Sequence, residues 1–224
     1  LSGLIYFDFH VEAFIPIIYF LFMYYFLRKK YFQSLIFLTL FLMIIEFTQI
    51  IALSMLIPII YYIIKIDKQN ISKKLMYIVF YVILITAFLL ITPKIMGIFN
   101  PHKSSSIVYN PSAIAGYKGP ITNIFNYIEK NTYVLFNYTA VDFNEKIYYF
   151  TTNLVPLFTS ITEPILLIPA IPYIAFASLS AYPPYYQNIF QYSAYFVPQV
   201  FIAYVVSLSK IKSNKRIAAV SFII

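Results

Sequence analysis

Long apolar runs separated by short basic clusters constrain this chain more than any other feature. Arg28, Lys29 and Lys30 close the first run. Lys65, Lys68, Lys73 and Lys74 divide the second from the third, and Lys210, Lys212, Lys215 and Arg216 follow the last. Apolar segments of spanning length between basic turns are the pattern of a polytopic membrane protein whose positive loops stay on the cytoplasmic side. Composition agrees, with 61% hydrophobic and 11% charged residues against about 25% charged in a soluble domain. A soluble fold of 224 residues has no interior large enough for that surface, whereas lipid lets apolar side chains face outward. The formal charge of +8 sits in loop clusters and forms no continuous basic stripe, which argues against a nucleic-acid partner. Cysteine is absent, so disulfides and thiolate metal sites are excluded.

Span lengths give a coarse topology. Residues 11–27 form a first span that stops at Arg28. Residues 31–64 are too long for one helix across a core of about 30 Å, being roughly 51 Å at 1.5 Å per residue. Basic residues at both ends require an even number of crossings. The segment is therefore expected to be a tight hairpin with Glu46, Phe47, Thr48 and Gln49 at its outer tip. Residues 75–92 form a cleaner span ending at Pro93, followed by an outer loop over about 93–145. Within that loop residues 121–136 carry apolar residues near helical spacing, which suits packing or an amphipathic helix on the interface. Residues 147–180 are broken by Pro156, Pro164, Pro169 and Pro172. They read either as two short spans turning inside near Glu163 or as a re-entrant pair. The tyrosines from Tyr182 to Tyr195 suit an interfacial belt, and residues 193–209 cross back. The expectation is a single all-α membrane domain over residues 1–224, with about six transmembrane helices, some short or re-entrant. Leu1 is not an initiator Met and residues 217–224 begin a further apolar segment, so a longer parent chain in the cell membrane is expected.

Few residues can carry chemistry. Asp8, His10 and Glu12 alternate with apolar neighbours at the mouth of the first span. Extended, they share one face; helical, Asp8 and Glu12 stack one turn apart. Two carboxylates and an imidazole can hold a hard divalent cation such as Mg or Mn, or form a base with its orienting partner; a solvated helix start is the plainer reading. Glu46 in a long apolar stretch, and Glu163 before Pro164, are costly carboxylates and so functional candidates. His102 and Lys103, beside three serines in the outer loop, could contact a phosphate. With only four glycines and no HExxH, phosphate loops and zincin sites find no support.

Tyr6-Phe7-Asp8-Phe9-His10-Val11-Glu12, followed by an apolar span and a basic turn, resembles the DFHPE segment of the predicted membrane proteins called domain of unknown function 2079. Val11 stands where that family usually has Pro. Glu46 resembles the central residue of its KED position, with Ile45 and Phe47 in place of the Lys and Asp. Leu154 to Leu157 and Glu163 to Pro172 resemble its P-x-x-L-L-x-A-L-P stretch. The resemblance covers nearly the whole chain and implies a distant similarity to membrane glycosyltransferases that use lipid-phosphate sugars. On that reading Asp8, His10, Glu12 and Glu46 are catalytic, Asp8, His10 and Glu12 hold a divalent cation, and His102, Lys103 and Glu163 bind substrate. The partners implied are the bilayer and a polyprenyl-phosphate-linked sugar. The family's FDLG-like and HFSP-like N-terminal motifs do not occur here, so this segment alone is expected to be inactive. A transporter with a midplane site and a non-catalytic accessory subunit are the alternatives, separated by where the acids converge.

Overall fold

The structure is a computed structural model that describes residues 11–65, 67, 70–99, 124–188 and 191–211. A 3-10 turn, Val11–Phe14, leads into α1 (Ile15–Leu27). Pro16 falls in the first turn of α1, where a missing backbone N–H costs nothing. Ile15, Tyr19, Phe22, Met23 and Phe26 recur at helical spacing and are buried. α1 ends in a Schellman turn in which Lys29 N–H donates to Phe26 O at 2.9 Å and Lys30 N–H to Tyr25 O at 2.9 Å. Lys29 takes the left-handed conformation that this turn requires, at φ 59°. The chain then doubles back as α2 (Tyr31–Leu42). Rings close the two helices together, Tyr19 on Phe41 at 5.9 Å, Tyr25 stacked on Phe37 at 5.3 Å and Phe26 on Tyr31 at 5.8 Å.

The expected hairpin over residues 31–64 is present. α2 stops at Leu42 and α3 (Glu46–Lys65) starts at Glu46. The turn between them is held by Thr48 Oγ, which reaches Phe41 O at 2.7 Å and Ile45 O at 2.6 Å. A helix end leaves carbonyls without intrahelical donors, and this hydroxyl supplies one. At the base, Tyr31 O–H donates to Asp67 Oδ2 at 2.7 Å and Lys29 Nζ lies 3.4 Å from Asp67 Oδ1. The basic turns after α1 and α3 therefore meet at one end of the bundle.

α4 (Ile71–Phe99) corrects the sequence reading. The helix does not stop at Pro93 but continues to Phe99, a length of about 44 Å. Pro93 removes one backbone donor, and Gln49 Nε2 steadies the preceding turn by donating to Thr92 Oγ1 at 2.8 Å. Residues 93–99 are therefore helix rather than outer loop. In the apolar stretch read as packing or an interfacial helix, the described residues from 124 onward form two helices. α5 (Ile124–Lys130) and α6 (Thr132–Ala140) are separated at Asn131. The Asn131 amide donates to Tyr127 O at 2.9 Å while its backbone turns at φ −131°. A short side chain that satisfies the preceding turn competes with helix continuation.

The proline-rich segment becomes a chain of short helical pieces. α7 (Phe143–Leu154) runs into a 3-10 segment, Val155–Thr162, kinked at Leu157. The chain turns at Glu163 and returns through α8 (Pro164–Leu167), Ile168–Ala170 and α9 (Ile171–Ser178). Each piece after α7 has a proline in its first two positions, where proline starts a helix without breaking one. The turn carries no basic residue of its own and takes one from α10 (Val197–Ile211): Lys210 Nζ lies 2.6 Å from Glu163 Oε1. Thr162 and Ser207 hydroxyls join beside it at 2.8 Å.

The regular structure of the described residues is entirely helical, with no strand. Two helices are long and apolar enough to cross a membrane, Phe47–Lys65 and Ile71–Ile95, while Val11–Leu27, Tyr31–Leu42, Pro164–Ser178 and Val197–Lys210 are apolar but shorter. Only 11% of the α4 span is buried. Its exposed Leu75, Val79, Phe80, Ile83 and Leu90 form a surface that water would not tolerate and lipid would.

Candidate functional site

The two ends of the bundle differ in chemistry. One gathers Lys29, Asp67, Glu163 and Lys210 into ion pairs at the basic turns. The other gathers Glu12, the start of α3 and a set of tyrosines. Glu12 is 7% exposed and Tyr195 4%, and Tyr195 O–H faces Glu12 Oε1 at 3.5 Å, the long limit of a hydrogen bond. The Tyr195 ring stands edge-on to Phe47 at 5.1 Å and stacks on Tyr173 at 5.3 Å. Through Phe47 the backbone of Glu46 is brought beside the wall that faces Glu12; the Glu46 side chain lies outside the described residues. Tyr195 stands two residues before α10 and Lys210 lies in its last turn, so Glu163 sits about 22 Å from Glu12 along that helix. The structure does not bring Glu163 together with Glu12. Asp8, His10, His102 and Lys103 lie outside the described residues. Of the expected metal set only Glu12 is described, and the described residues contain no group of three potential metal ligands.

The tyrosines do more than line an interface. Tyr186 and Tyr195 are buried, and only Tyr182 of the set expected to form the belt exposes a large part of its surface. Tyr185, Tyr192 and Tyr195 run as a ladder, with ring centres 4.9 and 6.2 Å apart. Burial pushes the Tyr192 hydroxyl up from its ordinary range, and the Glu12 carboxylate adds to the shift. Both causes keep the phenol protonated and able to donate.

Sequence reasoning missed Lys146. It lies one turn into the amphipathic α7 and is 3% exposed. Lys146 Nζ donates to Tyr138 O at 2.7 Å and to Ser178 O at 2.9 Å, tying α6 and α9 to α7. The ammonium also sits 5.0 Å from the centre of the Tyr186 ring. Loss of water lowers its pKa, and Asp142 opposes that shift. Tyr186 O–H donates to Asp142 Oδ2 at 2.6 Å, and burial followed by the Asp142 contact raises its pKa. Asp142 takes a left-handed backbone at φ 50°, tolerable for a short polar side chain. The only signal in the sequence was the spacing of Asp142 and Lys146, four residues apart at a helix start.

Residues 1–224 match the family described as Predicted membrane protein (DUF2079). Neither the curated proteins nor the solved structures contain a match.

Proposed function

This chain belongs to the family of predicted membrane proteins designated DUF2079, and from that premise we propose that the Glu12 end of the bundle is one half of a sugar-transfer site. In the full-length protein it would move a sugar from a polyprenyl-phosphate carrier to an acceptor outside the membrane. The observation that carries the proposal is the pairing of a nearly buried carboxylate, Glu12, with a nearly buried phenol, Tyr195, at the end where α3 begins. An ionisable group so placed is expensive unless it is engaged with a partner or ligand. Glu12 supplies a base for an acceptor hydroxyl, and Tyr195 holds its carboxylate in place. By their chemistry, Asp8, His10 and Glu12 would offer hard oxygens and one imidazole, donors suited to a divalent cation such as Mg or Mn. Such an ion, with His102 and Lys103, would bind the phosphate of the carrier.

Charge placement favours this reading over a transporter. In the helices and turns that form the bundle, the described acids lie at its two ends, Glu12 at one and Asp67 and Glu163 at the other. A transporter would place them near the midplane. The test is full-length Glu12→Gln. It is expected to insert and melt as the parent does and to lose transfer from a polyprenyl-phosphate sugar by about a hundredfold. Parent-level transfer by this variant removes Glu12 from catalysis.

A further inference from the structure

On the Glu12 end of the bundle, a separate open cavity of about 570 Å³ is lined by Asn144, Glu145, Tyr148, Tyr186, Gln187 and Asn188. That volume lies within the range of small-ligand sites, about 300–1,000 Å³. Its lining sets polar side chains into a mainly apolar wall. Three planar amides and one carboxylate supply donors and acceptors around a phenol that exposes 69% of its surface, Tyr148.

The polar groups are held in place. Asn153 Nδ2 donates to Asn188 Oδ1 at 2.7 Å, which leaves the Asn188 amide nitrogen directed away from that contact. Gln187 Nε2 approaches Glu145 Oε2 at 3.4 Å, a long contact that an incoming hydroxyl can replace. Tyr186 forms the floor, fixed from below by Asp142 and by the ammonium of Lys146.

Charge decides between ligand classes. Lys146 donates to two backbone carbonyls, sits against the Tyr186 ring and does not line the cavity, so it is no direct ligand for an anion there. Glu145 is the acidic side chain of the lining, a poor neighbour for phosphate or carboxylate. The lining is largely apolar in area, and its amides and carboxylate would be stripped of water by an acyl chain that offers them no partner. A neutral, polyhydroxylated ring meets all the demands. Its hydroxyls take the amides and Glu145, and its apolar C–H face lies on Tyr148. We propose that this cavity is a saccharide-binding subsite. It rests on the sugar-transfer reading only for its role, that of holding an acceptor glycan on the Glu12 end of the bundle.

Binding is tested on the full-length protein in nanodiscs, using methyl α-mannoside, methyl α-glucoside and methyl α-galactoside in saturation-transfer NMR and calorimetric titration. At least one glycoside is expected to bind in the millimolar range, with its ring protons receiving the strongest transfer. Tyr148→Ala is expected to weaken binding tenfold or more, and Tyr148→Phe to retain it, because the ring face is preserved. Both substitutions are at an exposed position, so folding is preserved and is checked by melting. Glu12→Gln is expected to bind the glycoside as the parent does, which separates this subsite from the catalytic proposal. No binding of any of the three probes overturns the proposal. So does binding that Tyr148→Ala leaves unchanged, since the sugar then sits elsewhere.

Discussion

Lys146 is a cation with almost no water around it, and its two carbonyl acceptors come from different helices. Lys146→Met keeps the length and apolar stem but leaves Tyr138 O and Ser178 O without that donor. The expected loss is about 3 kcal/mol, the scale for stripping a buried charged contact, read as a lower melting temperature in detergent. An unchanged melting point would mean that α6 and α9 do not depend on this tie. The tyrosine loop gives a second expectation at this scale. Burial raises the Tyr185 hydroxyl from 10.0 to about 12, and Tyr186 and Tyr192 are raised as well. Above the unfolded value these phenols ionise in the unfolded chain before the folded one, so stability is full below it and falls as pH rises beyond. Lys146 runs the other way, since its lowered folded pKa yields stability as pH rises toward 10.5. Three phenols oppose one amine, and the melting temperature is expected to fall between about pH 9 and pH 11.5. Tyr185→Phe is expected to flatten that fall, and a slope unaltered by it would discount the Tyr185 contribution. None of this was legible in the sequence. A lysine in a polar stretch and tyrosines near a span look like loop charge and membrane belt until tertiary contacts bury them.

Among the elements, the hairpin of residues 31–64 was readable because two independent constraints agreed. Its length exceeds the bilayer, and basic residues stand at both ends. The break near Glu46 followed from those constraints alone. Pro93 misled because a proline looks like a terminator locally, yet a helix loses only one hydrogen bond to it when neighbours steady the turn. Asn131 was missed for the converse reason, since apolar spacing on either side concealed a side chain that ends α5. α10 holds a feature that no periodicity reveals. Gln199 is fully buried, and neither amide atom has a hydrogen-bond partner among the described residues. It lies one turn below Tyr195 and Phe196. An orphaned buried amide costs about 1–3 kcal/mol, and an apolar replacement of similar shape recovers part of that cost. Gln199→Met is therefore expected to raise the melting temperature by a few degrees. A drop would show that the amide is engaged by water or by a ligand. The sequence reading put the hairpin tip near Glu12, and Phe47 and Glu12 both meet Tyr195. The partner of Glu12 was invisible, because Tyr195 lies 183 positions away.

For the molecule as a whole, the basic turns after α1 and α3 share one end with Lys210, and Glu12, the hairpin tip and Tyr148 belong to the other. With positive loops held inside, single cysteines at Ser72 and Asn144 are expected to react with an impermeant thiol reagent from opposite faces of intact cells or sealed vesicles. Reaction of both from one face would overturn this two-ended arrangement, and Ser72 reacting from outside with Asn144 from the cytoplasm would invert the proposed site and remove the outward-facing acceptor. The helices are also of unequal reach. α2 is about 18 Å long and packs in the same bundle as α4, which measures about 44 Å, against a hydrocarbon layer of about 30 Å. Were both to cross it, lipid could not match both at once. Beside α2 the leaflets would have to draw together, and along α4 they would have to thicken or the helix tilt, at a cost of fractions of a kcal/mol per ångström. A protein with this profile would dimple its own surroundings. Bilayers of different thickness would therefore bear on how far the buried carboxylate at the mouth lies from the headgroups.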